Sequence, residues 1–298
     1  MVQLTGATGF VGSSLLKYFQ ARLVKCSVIS MRDENWITQI DNSATAIVHL
    51  AGKAHDTSNS SSPAEYFRIN RDLTIAIFNK FIKSEIRDFF YFSSVKAVVD
   101  SAEGILDETV TGDPKTPYGK SKLEAEAYLL DQVLPKGKRL FIIRPCMVHG
   151  PGNKGNFNLL YKVVKKGIPW PLAAFSNQRS FLSIDNLCYL LEAMIQKDNL
   201  QSGIYNFADD EVLSTNDLVI LISKTLGKKA RLWNVPSFLI TTIAKVGDIL
   251  PLPLNSERLK KLTESYIVSN LKIKKSLEIE KLPTNAREGL LRTIKSLL

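Results

Sequence analysis

Residues 2–12 read VQLTGATGFVG, a short apolar strand followed directly by three glycines spaced three apart, Gly6, Gly9 and Gly12. A helical pattern follows over Ser13–Leu23, with its large apolar side chains on one face. In such a turn the first glycine permits a tight bend, the second lets the backbone approach a pyrophosphate, and the third lets the helix pack closely. Because a helix N-terminus also presents free N–H groups to phosphates, the stretch predicts a dinucleotide-binding site.

The composition is that of an ordinary globular protein. The chain has 298 residues, 45% of them hydrophobic, and a mean hydropathy of -0.02. No apolar run is long enough to cross a bilayer, and the first strand begins without a preceding secretory signal. Three separated cysteines, Cys26, Cys146 and Cys188, favour reduced and mostly buried thiols. We therefore expect a cytoplasmic protein with no membrane partner.

The net charge of +10 is the unusual property of the composition. A basic excess of this size is compatible with nucleic acid, an anionic membrane surface or an anionic small substrate. Much of it lies in paired lysines of the second half, which show neither aromatic interleaving nor a recognition-helix pattern, so we expect no nucleic-acid partner. His49, His55 and the cysteines lack the spacing of metal ligands, and no metal is expected.

Short apolar strands alternate with helical patterns through the first half of the chain. Helices are predicted over Asp72–Lys83 and Tyr118–Leu134. The strand candidates are Val2–Leu4, Cys26–Met31, Ala46–Leu50, Phe89–Phe92 and Leu140–Ile143. This alternation predicts an α/β fold with a doubly wound, Rossmann-type parallel sheet.

The rhythm changes after about residue 146, where a glycine-rich loop and the proline-rich turn 168–171 occur. Later strand candidates are Phe181–Ile184, Ile204–Phe207 and Arg231–Asn234, separated by helical patterns. We expect a dinucleotide-binding domain over residues 1–150, with an interleaved part near 180–210, and a smaller, mainly helical substrate lobe over 151–298.

Tyr118 and Lys122 form a second chemical signal. They are four residues apart, and therefore on one face of a helix that Pro117 begins. The pKa of a free tyrosine, ~10, is too high for proton exchange at neutral pH, and a nearby ammonium lowers it. The pair therefore predicts a general acid–base for a carbinol–ketone interconversion.

Six segments carry a resemblance to a known family. In chain order they are TGATGFVG (5–12), HLAG (49–52), Asn70 in RINRDLT, SSVKA (93–97), YGKSK (118–122) and RPCMVHGPG (144–152). Together they resemble the extended short-chain dehydrogenase/reductases of the epimerase/dehydratase type, in the branch that modifies nucleotide sugars. The resemblance spans essentially the whole chain. It implies an NAD(P)-binding Rossmann domain, a UDP-sugar substrate and a homodimer.

The resemblance also implies roles for individual residues. Ser94 would orient the substrate oxygen for Tyr118; another registration places Val95 there, but the chemistry requires a hydroxyl. The implied cofactor-binding residues are Gly6, Thr8, Gly9, Phe10, Val11, Gly12, Arg32, Leu50, Ala51, Gly52, Asn70, Tyr118, Lys122 and Pro145. The implied substrate-binding residues are Lys96, Asn156, Pro171, Leu172, Arg179 and Arg258, the arginines because their planar fork binds diphosphate bidentately.

At two places the sequence departs from the family's pattern, and these departures limit the possible reactions and cofactors. Val95 and Lys96 stand where the family's dehydratases carry an acid pair, which argues against dehydration. At the end of the second strand, Ser30 and Arg32 favour the 2′-phosphate of NADP, whereas Asp33 leaves NAD open.

We therefore expect an NAD(P)H-dependent 4-keto reductase, using NADP in preference to NAD. Its expected substrate is a UDP-4-keto-6-deoxy-(N-acetyl)hexosamine of bacterial surface-polysaccharide biosynthesis. The alternatives are a UDP-glucose or UDP-N-acetylglucosamine 4-epimerase with retained NAD, and a non-catalytic cofactor or sugar-nucleotide sensor.

Overall fold

The computed structural model describes residues 1–53, 62–102, 104–153, 157–250 and 254–298. Its strands are β1 Val2–Thr5, β2 Cys26–Ile29, β3 Ala46–His49, β4 Asp88–Phe92, β5 Ile105–Leu106, β6 Arg139–Pro145, β7 Met147–His149, β8 Arg179–Ser183, β9 Gly203–Phe207, β10 Val212–Leu213 and β11 Ile267–Val268. Its helices are α1 Phe10–Ala21, α2 Pro63–Tyr66, α3 Leu73–Ile82, α4 Pro117–Asp131, α5 Phe157–Lys165, α6 Ile184–Gln196, α7 Thr215–Thr225, α8 Ser237–Ile249, α9 Ser256–Thr263, α10 Leu271–Leu277 and α11 Ala286–Lys295. A π-helical segment, Phe67–Asp72, joins α2 to α3.

Six parallel strands form the main sheet, in the order β2-β1-β3-β4-β6-β9. The chain moves to one side of β1 to form β2 and returns to the other side to form β3. This reversal opens a crevice beyond the carboxyl ends of β1 and β3, where ligands of doubly wound sheets bind. In the described residues β2 is the edge of the sheet, whereas the usual dinucleotide-binding sheet has a further strand beyond it.

The two faces of this sheet carry separate cores because side chains alternate along each strand. Leu4, Val48 and Phe90 point to the face covered by α1 and α6. Ile47 and Phe89 point to the opposite face, covered by α3 and α4. Helices therefore lie on both faces, which confirms the predicted doubly wound α/β fold.

The second half of the chain is shared between two cores. Helices α5, α7, α8 and α11 pack around a core of their own, together with the small sheet β10-β8-β7. By contrast, α6 and α10 pack on the main sheet, and β11 pairs with β5 of the first half. The lobe is thus interleaved with the sheet.

The sequence expectations differ from the structure at one strand. Residues 231–234, predicted as a strand, form only isolated bridges, Trp170 with Leu232 and Leu172 with Asn234. All three cysteines are free and two of them are buried, as predicted. None of the described helices has the length and apolar character needed to span a bilayer.

Candidate active site

The glycine turn lies directly after β1 at the crevice. Gly6 has a φ of +67°, and a Cβ there would lie 2.6 Å from the backbone nitrogen of Ala51. A Cβ on Gly12 would lie 2.3 Å from the carbonyl oxygen of Gly6, so α1 packs against the turn itself. No side chain of the described residues caps α1 at Gly9, and its first N–H groups face the crevice. Such an N-terminus suits the phosphates of NAD, which the flanking residues Thr8, Phe10 and Val11 would border.

The loop after β3 is held against this turn by one hydroxyl group. Thr5 Oγ1 accepts hydrogen bonds from the backbone N–H groups of Leu50, at 3.1 Å, and Ala51, at 3.0 Å. Its own proton is therefore available to His49 Nδ1, 2.8 Å away. The contact fixes where the implied cofactor-binding residues Leu50 and Ala51 lie.

His49 continues this hydrogen-bond chain in a single tautomer. Since Nδ1 accepts from Thr5, the ring proton is on Nε2, 3.0 Å from Thr74 Oγ1, which donates to the carbonyl oxygen of Asn70 at 2.8 Å. Burial lowers the pKa of His49 to about 3, and the Lys122 charge adds to this effect. The imidazole is neutral and acts as a buried structural bridge.

The titration of His49 gives a testable pH dependence. The pKa of His49 in the folded protein, about 3, lies below its ordinary value of 6.5. The stability that the neutral ring contributes to the fold is therefore complete above pH 6.5 and is lost as the pH falls toward 3. The loss amounts to roughly 1.4 kcal/mol per pH unit. We expect a non-titrating His49→Asn variant to be less stable than the wild type at neutral pH, with a difference that shrinks on acidification. Urea unfolding followed by circular dichroism measures this, and a pH-independent difference would contradict it.

Asn70 joins the loop after β3 to helix α4. Its Oδ1 accepts from the Lys53 N–H at 2.7 Å, and its Nδ2 donates to the Lys53 carbonyl oxygen and to Ser121 Oγ, each at 3.1 Å. A Cβ on Gly52 would lie 3.3 Å from Lys122 Nζ. Asn70 lies in the π-helical segment, an irregularity frequent at functional sites. The implied cofactor-binding residues Gly52, Asn70 and Lys122 therefore meet.

The predicted catalytic residues also meet, at the start of α4. Thr116 caps this helix by accepting from the Gly119 N–H at 3.2 Å. A Cβ on Gly119 would lie 2.4 Å from the Lys96 carbonyl oxygen, so α4 packs directly on the turn that follows β4. This packing brings Tyr118 into hydrogen-bond contact with Ser94. A phenol and a hydroxyl thus lie side by side, where one ligand oxygen could contact both.

The ionisation of Tyr118 differs from the expectation. Burial raises the pKa of the phenol, and the hydrogen bond with Ser94 opposes that rise. Lys122, expected to lower the pKa, donates instead to the carbonyl oxygen of Phe92 at 2.8 Å. Burial lowers the pKa of Lys122 itself to about 8, against the effect of Glu126. The protein environment alone therefore holds Tyr118 as the neutral phenol.

A buried ion pair connects helix α4 to strand β6 of the main sheet. Glu126 lies four residues after Lys122 on α4 and is paired with Arg144 of β6, and both are almost fully buried. Arg144 Nη1 has no hydrogen-bond partner in the described residues. Tyr118, Lys122 and Glu126 are spaced four residues apart, so helical spacing alone would have placed Glu126 on the same face of α4.

Two other residues at the site were missed by the sequence analysis. Tyr66 places its ring edge-on to Tyr118, with centroids 6.2 Å apart. The Tyr266 hydroxyl donates to the carbonyl oxygens of Val95, at 3.1 Å, and Val99, at 2.8 Å. Both are separated from Tyr118 by many residues, so no local pattern signals them.

The remaining predicted cofactor-binding residues frame the crevice. Arg32 is exposed just after β2, and Pro145 ends β6. The Asp33 carboxylate accepts from the Asn35 N–H at 3.0 Å and from Gln39 Nε2 at 2.9 Å. The residues after β2 therefore include a carboxylate held in place, that of Asp33, beside the cationic Arg32.

The predicted substrate-binding residues are less uniformly placed. The Lys96 ammonium donates to the Asp100 carbonyl oxygen and lies 4.4 Å from the centroid of the Tyr266 ring. Leu172 is buried in the core of the lobe, with Pro171 half-buried beside it. Arg179 begins β8, where burial lowers its pKa, and Arg258 is exposed on α9. Asn156 lies outside the described residues. Lys96 and Arg179 both lie beside Tyr266, because the Lys96 ammonium lies over its ring and Arg179 forms an isolated bridge with it.

No group of three or more potential metal ligands occurs among the described residues. The geometry is that of an acid–base site beside a dinucleotide-binding turn. The residues at the turn fit NAD, because Gly6 and Gly12 allow the loop after β3 and helix α1 to pack closely, while a Cβ on Gly9 would meet only the Gly6 carbonyl oxygen, at 3.3 Å, on the side where a pyrophosphate approaches.

Comparisons with known proteins agree with this geometry. The UDP-glucose 4-epimerase of Vibrio cholerae is 31% identical over 79% of this chain and 78% of its own length. The N-acetyl-alpha-D-glucosaminyl-diphospho-ditrans,octacis-undecaprenol 4-epimerase of Escherichia coli O157:H7 is 27% identical over 92% of this chain and 84% of its own. A shorter match, 28% identical over 52% of this chain and 54% of its own, is to the GDP-6-deoxy-D-mannose reductase of Pseudomonas aeruginosa.

Solved structures of similar fold include a 4-epimerase. The UDP-glucose 4-epimerase of Thermus thermophilus, solved in complex with NAD, superposes with a TM-score of 0.75 over 99% of this chain and 98% of its own, at 19% identity. Residues 2–208 match the NAD dependent epimerase/dehydratase family. The chain is therefore an enzyme that belongs to the NAD dependent epimerase/dehydratase family.

Proposed function

We propose that the protein is a 4-epimerase of UDP-glucose or UDP-N-acetylglucosamine that retains NAD through its catalytic cycle. The observation that carries the proposal is the contact of Tyr118 with Ser94 beside the glycine turn. Two relatives named as 4-epimerases, each covering more than three-quarters of this chain, support it. The proposal replaces the 4-keto reductase expected from the sequence, whose support is one shorter match.

The chain's own residues account for binding. The free N–H groups at the start of α1, above Gly6–Gly12, would hold the pyrophosphate of NAD. Leu50–Gly52 and Lys122 would border the rest of the cofactor. Bound NAD supplies the hydride acceptor and donor for C4 of the sugar.

The proton chemistry rests on Tyr118. As the phenolate, Tyr118 would take the proton of the sugar's O4 when C4 is oxidised, and the phenol so formed would return that proton when C4 is reduced from the other face. Ser94, hydrogen-bonded to the phenol, orients the same oxygen. Burial raises the pKa of the phenol and the Lys122 ammonium donates to the carbonyl oxygen of Phe92, so the phenolate form that accepts the proton would have to be favoured by the positive charge of bound NAD. A silent sensor has no need of this arrangement.

A direct assay tests the proposal. Purified protein is incubated with UDP-glucose or UDP-N-acetylglucosamine without added cofactor, and proton NMR follows the C4 epimer. We expect epimer to form and NAD to be released when the protein is denatured. A protein that carries no cofactor, and oxidises NADPH only with a 4-keto sugar, would instead be a reductase.

The cofactor preference is proposed as NAD because of Asp33. Its carboxylate, held by Asn35 and Gln39, would accept from the ribose 2′-hydroxyl and repel a 2′-phosphate. We expect Asp33→Ser to shift the ratio of NADP to NAD affinities by at least about tenfold toward NADP, measured by calorimetry. Glu34→Gln, at the exposed neighbouring position, is the matched control and leaves the ratio unchanged. An unchanged ratio in Asp33→Ser would show that this carboxylate does not set the preference.

A second substrate class is favoured by the match that covers 92% of this chain, to an enzyme named for a sugar on undecaprenyl diphosphate. Both substrate classes present a hexose on a diphosphate, so the acid–base residues need not differ. Parallel NMR assays with N-acetylglucosaminyl-diphospho-undecaprenol in detergent and with UDP-N-acetylglucosamine distinguish them by their kcat/KM values.

A further inference from the structure

Helix α8 presents its apolar residues outward. Its sequence is SFLITTIAKVGDI, and only Ile240 and Ala244 of this helix are buried, both in the core of the lobe. The remaining large apolar residues of the helix and its C-cap are 42 to 86% exposed: Phe238, Leu239, Ile243, Val246, Ile249 and Leu250. We call these six residues the α8 apolar face.

The six side chains form one continuous stripe. At about 100° per residue they fall within an arc of roughly 140°, interrupted only by Thr242. Along the axis they extend over about 17 Å from Phe238 to Ile249. Scattered apolar residues are normal on a surface, but a contiguous stripe marks an interaction site.

The orientation of α8 is fixed by its contacts with α9. The Asp248 carboxylate accepts from the Ser256 N–H at 2.9 Å and from the Ser256 hydroxyl at 2.6 Å. Gly247 lies so close to the Leu254 carbonyl oxygen that a Cβ would not fit. The apolar face therefore points outward because the opposite side of the helix is packed.

A cationic cavity is lined in part by residues 228–231, which precede α8 in the sequence. It has a volume of about 400 Å³, and Lys166, Lys228, Lys229 and Arg231 line it without any carboxylate. Within the part of the chain that the structure describes, none of these four residues is in an ion pair; Lys228 and Arg231 donate to backbone carbonyl oxygens.

The cavity and the helix are joined by a short exposed segment. Trp233, two residues after Arg231, is 57% exposed, and α8 begins at Ser237. From residue 224 to 263 the sequence has eight lysines and arginines against two acidic residues. Apolar and cationic groups thus lie together in the same part of the lobe.

We propose that the α8 apolar face, Trp233 and the cationic cavity dock the protein on the surface of an anionic bilayer. Interfacial helices bury an apolar face at the boundary of headgroups and acyl chains, and basic residues beside them bind anionic lipid. Trp is the side chain enriched at that boundary. The anionic bilayer is favoured over a second copy of the chain, because a two-fold contact through this face would bring like charges together.

The proposal departs from the expectation of no membrane partner, which rested on the lack of a spanning segment. Surface binding needs no such segment. The proposal does not depend on the reaction, since it concerns a surface formed by α8 and the segment before it.

Vesicle flotation of the full-length protein tests the docking. We expect it to float with vesicles of equimolar phosphatidylglycerol and phosphatidylcholine, but not with phosphatidylcholine alone, and less strongly at high salt. Phe238→Glu combined with Ile249→Glu should weaken the apparent vesicle affinity at least about tenfold. Lys228→Glu combined with Lys229→Glu should do the same.

Matched controls keep the result specific. Val133→Glu changes a side chain that is 92% exposed outside the lobe, and Lys136→Glu reverses a charge there. Both should float like the wild type, and all variants should keep the wild-type melting temperature. No flotation of the wild type, or equal flotation of the α8 variants, would overturn the proposal. A dimer that light scattering detects and that Phe238→Glu dissociates, without vesicle binding, would overturn it in favour of a second copy.

Discussion

Replacing Tyr118 by phenylalanine will lower kcat for epimerisation by at least about a thousandfold, because the variant has no group to exchange the proton of O4. The ring keeps its edge-on contact with Tyr66 and its place at the start of α4. NAD affinity should therefore remain close to that of the wild type. Proton NMR of the epimerisation and calorimetric titration of NAD measure the two quantities on the same preparation.

A second tyrosine on the same helix provides the control. Tyr128 donates to Asn79 Oδ1 at 3.0 Å, on the part of α4 away from the crevice. Tyr128→Phe removes one hydroxyl from the same helix and should leave kcat within about twofold of the wild type. Wild-type turnover in Tyr118→Phe would remove the basis of the proposed acid–base mechanism.

Gly12→Ala should destabilise the fold itself, by about 2 kcal/mol or more. The added Cβ would lie 2.3 Å from the Gly6 carbonyl oxygen and 2.7 Å from the Cα of Ala7, and both are backbone atoms that cannot rotate away. Helix α1 would have to move from the turn, which also displaces its N–H groups. Urea unfolding measures the loss of stability, and calorimetry measures the loss of NAD binding that accompanies it.

Gly9→Ala separates binding from packing in the same turn. Its Cβ would meet only the Gly6 carbonyl oxygen, at 3.3 Å, and Gly9 has a φ of -76°, which alanine adopts freely. We expect near wild-type stability but at least about tenfold weaker NAD binding, since the methyl group occupies the approach of the pyrophosphate. Unchanged NAD binding in Gly9→Ala would show that the phosphates do not lie over this turn.

Much of the fold could be predicted from local patterns. The five main-sheet strands between Val2 and Pro145 were identified because buried parallel strands are short apolar runs, whereas the two-residue strand Ile105–Leu106 was not. The predicted helix Asp72–Lys83 differs from the observed Leu73–Ile82 only at its ends. Residues 231–234 were assigned wrongly because their apolar pattern matches a strand, whereas they form only bridges to residues 170–172. Pairing depends on what lies beside the chain, which a local pattern does not contain.

The residues of the candidate site likewise include some that the sequence predicts and some that it does not. Tyr118, Lys122 and Gly6–Gly12 were found because the chemistry fixes their spacing. The contact of Tyr266 with the turn after β4 joins residues more than 160 positions apart, and no spacing rule predicts it. The pKa of Tyr118 was misjudged because burial raises it and because Lys122 donates to a carbonyl oxygen of β4, and helical spacing alone reveals neither.

The place of β9 in the sheet has a consequence for protein engineering. This strand follows β8 of the lobe in the chain, yet it completes the main sheet beside β6. A fragment cut at residue 150 would lose both the last strand and α6, exposing the apolar side chains that they cover. Chimeras that exchange sugar specificity between relatives will therefore need several junctions, on either side of residues 184–207, in place of one fusion point.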